Sequence, residues 1–305
     1  MTDVKVGIRV PRSTQVGTVA ERQAVMESIA DGGLDHVTVS DHVSFFVGAG
    51  FDGLIHAAQV ASLHDTLEVA VAVYLLPLRH PTTVARQIQS IAASAPGRLL
   101  LGVGVGGEDP HEYEVCGVDP RTRGRRADEA LTILRGLMTG EPFDFEGEFY
   151  RLEAAQIAPA VEPRVPIVVG GRSAAAVRRA GTLGDGYLGV WISAKRFAGI
   201  LAEVADHASG VGRDASGFEH GLYVWCGFGD TGDAARDRVG SAMESFYRIG
   251  FEKFERYTPY GSAADVAEFL APYVEAGCRS FHLVPNAASD AAAVEQCAEV
   301  KRLLA

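Results

Sequence analysis

The chain of 305 residues is 47% hydrophobic, enough for a sizeable core, and its 28 basic and 39 acidic residues give a net charge of −11. With no basic excess to displace counterions, the charge argues against nonspecific binding of nucleic acid or anionic lipid and leaves room for a local basic site for an anionic ligand. The longest apolar run, residues 69–78, is too short to cross a bilayer, and Met1-Thr2-Asp3-Val4-Lys5 leads into a strand without a signal-peptide pattern, so a cytoplasmic protein is expected.

Buried-strand patterns begin near Val4, His36, Leu67 and Leu99, about 31 residues apart, with helical patterns over 19–30, 54–64 and 83–95 between them. That alternation indicates βα units and a parallel sheet whose strands are apolar on both faces. The rhythm breaks over 116–163, which holds a helix at 125–138 and a small hairpin at 143–150. It resumes with strands at 167–169, 187–190, 222–228 and 280–284 and helices at 174–183, 195–208, 234–249, 263–276 and 291–303. A second break, 250–261, is rich in aromatic and charged residues. Eight strands in this order predict one TIM (β/α)8 barrel domain over residues 1–305, with insertions at its catalytic end. An open Rossmann sheet fits less well, because the first strand runs into Pro11-Arg12-Ser13 with no G-x-G-x-x-G turn. Cys116, Cys226, Cys278 and Cys297 are scattered without zinc-ligand spacing, so they read as reduced thiols and no metal is expected.

In a barrel the chemistry sits where strands end. The second strand ends Val39-Ser40-Asp41-His42, where a carboxylate beside an imidazole could orient and tune an acid or base near neutral pH. The alternative is a turn-capping Asp and a His satisfied within its loop. The third strand, Val69-Ala70-Val71-Ala72-Val73-Tyr74, alternates alanines, which leave room for something broad above them or fit the barrel's taper. Beyond it, Arg79 and His80 read as structural. Gly102, Gly104, Gly106 and Gly107 run into Glu108-Asp109-Pro110 rather than a helix, as a tight strand end beside a ligand. Glu108 and His111 are second candidates for proton transfer, and Glu112 reads as a solvated loop residue. The fifth strand breaks into Gly170-Gly171, followed by Arg172 and a helix-starting Ser173. Such a turn offers bare backbone N–H groups to an anion, or its glycines merely satisfy the sterics of a βα connection. The arginines at 121, 123, 125 and 126 form a helix-start face or grip an acidic cofactor tail.

Taken in order, these segments resemble the bacterial-luciferase-like flavin or deazaflavin oxidoreductases over nearly the whole length. The resemblance rests on Val39-Ser40-Asp41-His42, Leu76-Pro77-Leu78-Arg79-His80-Pro81, Gly97-Arg98-Leu99-Leu100-Leu101-Gly102-Val103-Gly104 and Glu112-Tyr113-Glu114 with Gly117. It continues through Arg123-Gly124 before Asp128-Glu129-Ala130-Leu131, Phe145-Glu146-Gly147-Glu148-Phe149-Tyr150, Pro166-Ile167-Val168-Val169-Gly170-Gly171 and Asp185-Gly186-Tyr187. The resemblance implies a TIM barrel with insertions and a cofactor phosphate held at Gly170, Gly171 and the Ser173 helix start. It further implies a strand-three bulge at Ala72 and Val73, with a non-prolyl cis peptide in deazaflavin-dependent members, backing the cofactor ring. Asp41 and His42 match the pair near the ring's reactive edge, His42 standing at the acid/base position. A homodimer is expected on the same ground.

Two departures speak against a sugar-phosphate substrate. Relatives that oxidise sugar phosphates have a Trp four positions after the His, where this chain has Phe46. They also have a Glu directly after the strand-four glycines, where Gly107 stands here and Glu108 comes one later. Coenzyme F420 and FMN both suit the scaffold; Ala72 and an Ala/Gly/Arg-rich composition, typical of the high-GC bacteria that make the deazaflavin, favour F420. The expected function is hydride transfer between F420 and a small organic substrate, with His42, Asp41 and Glu108 catalytic. The alternatives are an FMN-dependent monooxygenase and a non-catalytic flavin-binding protein.

Overall fold

The computed structural model describes residues 4–305 apart from 47 and 49. Its first half runs β1 (Lys5–Arg9), α1 (Val19–Asp31), β2 (His36–Val39), α2 (Gly53–Ala61), β3 (Glu68–Leu75), α3 (Pro81–Ser94), β4 (Leu99–Gly104), α4 (Pro110–Val115) and α5 (Arg123–Leu137). A hairpin follows, β5 (Phe143–Glu146) and β6 (Arg151–Ala155), and then β7 (Ile167–Gly170), α6 (Ala174–Thr182), β8 (Gly186–Val190) and α7 (Ala194–Ser209). The chain closes with β9 (Glu219–Phe228), α8 (Gly232–Tyr247), β10 (Tyr260–Gly261), α9 (Ala263–Glu275), β11 (Ser280–Asn286) and α10 (Asp290–Leu304).

Eight parallel strands form a closed ring in the order β1-β2-β3-β4-β7-β8-β9-β11, with β11 returning to β1. This is the expected TIM barrel. β9 outruns β8, and the two residues of β10 pair with its far end at Gly227 and Phe228. The strands are apolar on their outer faces because helices cover them: Val6, Ile8, Val37, Val39, Val71 and Leu101 have no more than a trace of exposure. α3 shows the matching stripe, burying Val84, Ala85, Ile88 and Ile91 at helical spacing. Side-chain caps start the helices, with reciprocal capping boxes at Thr18/Glu21 and Ser262/Asp265.

Two local expectations are corrected, and the second break takes a definite form. The chain after the strand-four glycines does enter a helix: Asp109 caps α4 and Pro110 takes its first position, where a missing N–H costs nothing. The hairpin extends to Ala155, its second strand starting only after Tyr150. The segment 250–261 folds as two 3₁₀ turns, Phe251–Lys253 and Glu255–Tyr257, ahead of β10.

The barrel interior is layered. Toward the N-terminal ends of the strands sits a polar knot, with His36 Nε2 and Thr38 Oγ1 each 3.0 Å from His282 Nδ1 and Ser280 Oγ 3.3 Å from His282 Nε2. The His36 ring lies over Gly7, where a Cβ would collide with it. Burial pushes the His36 pKa down to about 3 and holds that of His282 well below its ordinary value, so both rings are neutral. Above them lies an apolar layer of Ala72, Val168 and Leu188 with Val73, Leu100 and Tyr223.

Candidate functional site

A cleft of about 940 Å³, counted out to its open mouth, lies over the C-terminal ends of the strands. Its floor is the top of the apolar layer. β3 shifts register against β4 between Val71 and Tyr74, and the Ala72–Val73 peptide is cis within that bulge. The bulge turns Val73 inward over glycines of the next two strands of the ring, β4 and β7. A Cβ on Gly104 would collide with Val73 Cγ2, and one on Gly170 would lie 2.8 Å from Val73 Cγ1. These glycines thus make room for the bulge, which answers part of what they are for. Gly171 is different. Its φ of +129° excludes ordinary side chains, and a Cβ there would meet Ala176 of α6 at 2.9 Å. Ser173 caps α6 by accepting from Ala176 N–H, leaving the preceding N–H groups of that first turn without intrahelical acceptors.

On the β2 side, neighbouring residues take opposite directions. Asp41 is fully buried and does not bond His42. Its Oδ1 accepts from Gly53 N–H at 2.8 Å and Arg79 Nη2 at 2.8 Å, and its Oδ2 from Leu75 N–H at 2.8 Å and Arg79 Nη1 at 2.6 Å. Burial pushes the Asp41 carboxyl up, and the guanidinium and two N–H groups work against that. Burial likewise opposes the Arg79 charge, but Asp41, Tyr74 and Asp52 outweigh it and raise its pKa. The expected Asp41–His42 pair is therefore corrected: Asp41 ties the ends of β2 and β3 to the start of α2.

The partner of His42 is Glu112, whose Oε2 lies 3.3 Å from His42 Nδ1. Glu112 also accepts from Val43 N–H at 2.6 Å and Ser44 N–H at 3.3 Å, and its side chain is 4% exposed, not the solvated loop residue expected. Asp109 accepts from Phe46 N–H at 2.6 Å. Two carboxylates of the α4 segment thus clamp the loop that carries His42. Burial pushes Glu112 up, but the hydrogen bond and charge of His42 and the two N–H groups more than reverse this, leaving its pKa below the usual carboxylate value. The His42 ring stacks on Phe45 at 4.1 Å and meets the edge of Phe246 at 5.9 Å.

The remaining wall is aromatic. Tyr223 of β9 and Phe246 and Tyr247 at the end of α8 face the cleft with Trp191, which follows β8 at a φ of +48°. Trp225 Nε1 donates to Tyr247 Oη at 3.2 Å. Trp191 Nε1 is buried with no acceptor.

The cleft gathers His42, Asp41, Ala72, Val73, Gly106, Glu108, Gly170 and Gly171 of the residues singled out from sequence. It does not gather Gly107, Arg172 or Ser173, which are exposed beside it; the Arg172 guanidinium lies 5.6 Å from the Trp191 ring. Glu108 is exposed at the mouth. His111 is set aside, being on the outer surface of α4 and 3.2 Å from Glu114. Sequence reasoning missed Glu112, Asp109 and the α8 aromatics. The first two had a readable signal, since Asp109-Pro110-His111-Glu112 is a helix start with a carboxylate at the cap and another three residues on.

An uncharacterized Mycobacterium tuberculosis protein is 45% identical over 131 residues, 43% of this chain and 45% of that one. The F420-dependent glucose-6-phosphate dehydrogenase of Kineococcus radiotolerans is 33% identical over 162 residues, 51% of this chain and 48% of that one. The matched segments thus span about half the length of these relatives or less. Among solved structures, an F420-dependent secondary alcohol dehydrogenase in complex with an F420-acetone adduct shares the fold with a TM-score of 0.85 at 18% identity, covering 99% of each chain. The family model of the luciferase-like monooxygenases matches residues 4–300, and the chain belongs to that family.

Proposed function

We propose that the chain is an F420-dependent oxidoreductase transferring a hydride between the deazaflavin and a small organic substrate. The observation that carries this reading is the continuity of the cleft. One surface joins the bare backbone of Gly170 and Gly171, a floor containing Ala72, Val73 and Leu188, and the His42 imidazole. The residues present fit such a group: Gly171, at a φ of +129°, has no side chain between the first turn of α6 and the cleft. Gly171 and the first turn of α6, with Arg172 and Ser173 at the rim, would hold a phosphate, where backbone N–H groups and the helix dipole favour an anion. Ala72 and Val73 would back a flat ring, with Gly106 and Gly107 beside it. The likeness to F420-dependent dehydrogenases and the small Ala72 support the deazaflavin over FMN. When bound it supplies a two-electron hydride donor or acceptor.

The chain's own part is proton transfer and positioning. An ionised Glu112 only accepts hydrogen bonds, so His42 Nδ1 carries the shared proton and Nε2 keeps a lone pair. His42 Nε2 takes up or returns the proton at the substrate oxygen, and Glu112 stabilises the charged imidazole. Glu108 at the mouth is the second proton-carrying group. Asp41 acts at one remove, holding the strand ends that set the loop.

Equilibrium binding of F420 and FMN in competition tests the cofactor. Preferential F420 binding is expected; tight FMN binding without F420 binding overturns it. Unchanged turnover in His42→Ala would remove the role given to that residue. F420 bound tightly, with no hydride exchange to any alcohol or ketone, would mark a binding protein instead.

A further inference from the structure

Around the closed ring β9 stands four strands from β3 in either direction, so the wall carrying Tyr223 and Trp225 faces the bulge across the lumen. The last residues of α8 cover this side, where Phe246 lies 5.1 Å from Phe45 and Tyr247 lies 5.0 Å edge-on to Trp191. This wall carries a surplus of donors. Tyr247 Oη already accepts from Trp225 Nε1, and among the described residues nothing accepts the Tyr247 proton. Trp191 Nε1 is buried and, among the described residues, without an acceptor. Buried donors are nearly always paired in native structures, so this N–H, with the free hydroxyl proton of the half-buried Tyr247 beside it, points to a ligand that brings the acceptor.

The charges narrow the class. Among the described residues no lysine or arginine lines the cleft: Arg172 stands at the rim, over the Trp191 ring, on the side given to the cofactor phosphate, and the Asp41 charge is matched by Arg79. Glu108 stands at the mouth and Glu112 directly behind His42, so an anionic group on the substrate would find no cation among the lining side chains. Rings at these separations leave flat, apolar surfaces suited to a cyclic or aromatic body.

We infer that the aromatic side of the cleft is the substrate compartment, shaped for an uncharged cyclic compound with a carbonyl or hydroxyl oxygen, and that Tyr247, aimed by Trp225, donates the hydrogen bond that fixes that oxygen. This rests on the oxidoreductase reading and names its substrate class. Trp225 is a positioning residue, since its N–H occupies the phenol's lone pair and turns the hydroxyl proton toward the ligand.

The sequence holds two tryptophans, Trp191 and Trp225, both in this wall, so two indole N–H resonances report ligand entry without any turnover. Protein labelled with nitrogen-15 at tryptophan is titrated with cyclohexanone, methylenecyclohexane and glucose 6-phosphate, each with F420 present and absent. Cyclohexanone is expected to shift both resonances saturably, the Trp191 or Trp225 N–H responding more than to the oxygen-free isostere. With F420 present, so that the Gly171 and Arg172 site is filled, glucose 6-phosphate is expected to leave both unmoved. Tyr247→Phe should weaken cyclohexanone binding about five- to tenfold, as loss of one neutral hydrogen bond does, with methylenecyclohexane and F420 affinities unchanged. Equal cyclohexanone affinity in Tyr247→Phe, no indole shift in the wild type, or tighter binding of glucose 6-phosphate overturns the inference. If the variant is unstable, an indistinguishable response of the wild-type indoles to cyclohexanone and methylenecyclohexane overturns it as well. Should F420 fail to bind while the Tyr247-dependent shifts persist, the compartment stands and the cofactor reading falls; the converse result separates them the other way.

Discussion

The polar knot inside the barrel predicts a specific acid sensitivity. His36 is neutral in the folded protein because burial lowers its pKa to about 3, whereas in the unfolded chain it titrates at its ordinary value of 6.5. A depressed folded pKa contributes stability that is fully present above pH 6.5 and is lost as the pH falls toward 3. Below 6.5 the loss approaches about 1.4 kcal/mol per pH unit, so at pH 5 His36 alone removes roughly 2 kcal/mol. His282, whose pKa is held down by burial and then by the neighbouring His36, adds a loss of the same sign. Together they take a large share of a stability of about 5–15 kcal/mol. His36→Gln keeps a hydrogen-bonding group toward His282 and removes the titration. Urea unfolding of wild type and variant at pH 7 and pH 5 checks this. The wild type should lose about 2 kcal/mol more than the variant between the two pH values. Glu219, whose burial raises its carboxyl pKa, contributes with the opposite sign, but it is common to both proteins and drops out of the difference. An equal loss in the two proteins would show that His36 does not resist protonation in the fold, and the account of the knot would be wrong.

Other substitutions probe the site's supports. Asp41→Asn takes the bidentate carboxylate from the half-buried Arg79 guanidinium, which keeps only Asp52 at 3.0 Å, and should cost about 1.5–3 kcal/mol in thermal or urea unfolding. Glu112→Gln keeps an acceptor for Val43 N–H but removes the charge behind His42; kcat should fall by part of the about 10²–10⁴-fold that a positioned acid or base contributes, and the pH profile should move, which a purely structural role would not produce. Gly104→Ala forces Val73 off its seat and should destabilise by about 1–3 kcal/mol while weakening F420 binding, read by unfolding and by equilibrium titration.

The barrel was legible because its determinants are local. Covered parallel strands must be apolar on both faces and helices must follow at regular spacing, so the ring of eight could be counted from His36, Leu99 or Ile167 without knowing what each strand pairs with. The glycines were legible only as glycines. That Gly104 and Gly170 yield space to Val73 depends on the register shift in β3, which the family resemblance implied at Ala72 and Val73 but which the residue pattern by itself does not show. The aromatic wall was hidden for the same reason. Phe246 and Tyr247 end a helix that reads as an ordinary cover, and only the packing of α8 over the open end of the barrel brings them above Tyr223.

Asp41 and Glu112 show where adjacency in sequence misleads. Side chains of consecutive residues in extended chain leave on opposite sides, so an Asp directly before a catalytic His is badly placed to touch it. Asp41 goes inward, to Arg79 and two backbone N–H groups, while His42 faces the cleft and finds its carboxylate 70 residues away. The separation has a mechanical consequence. Glu112 holds the imidazole and the Val43 and Ser44 N–H groups at once, and Asp109 in the same segment holds Phe46. The His42 ring and the loop that walls the cleft are therefore fixed by one short helix and its cap, so a shift of α4 would move both together. The orientation of His42 is set by the loop after β4, and the strand that carries it serves mainly as an anchor.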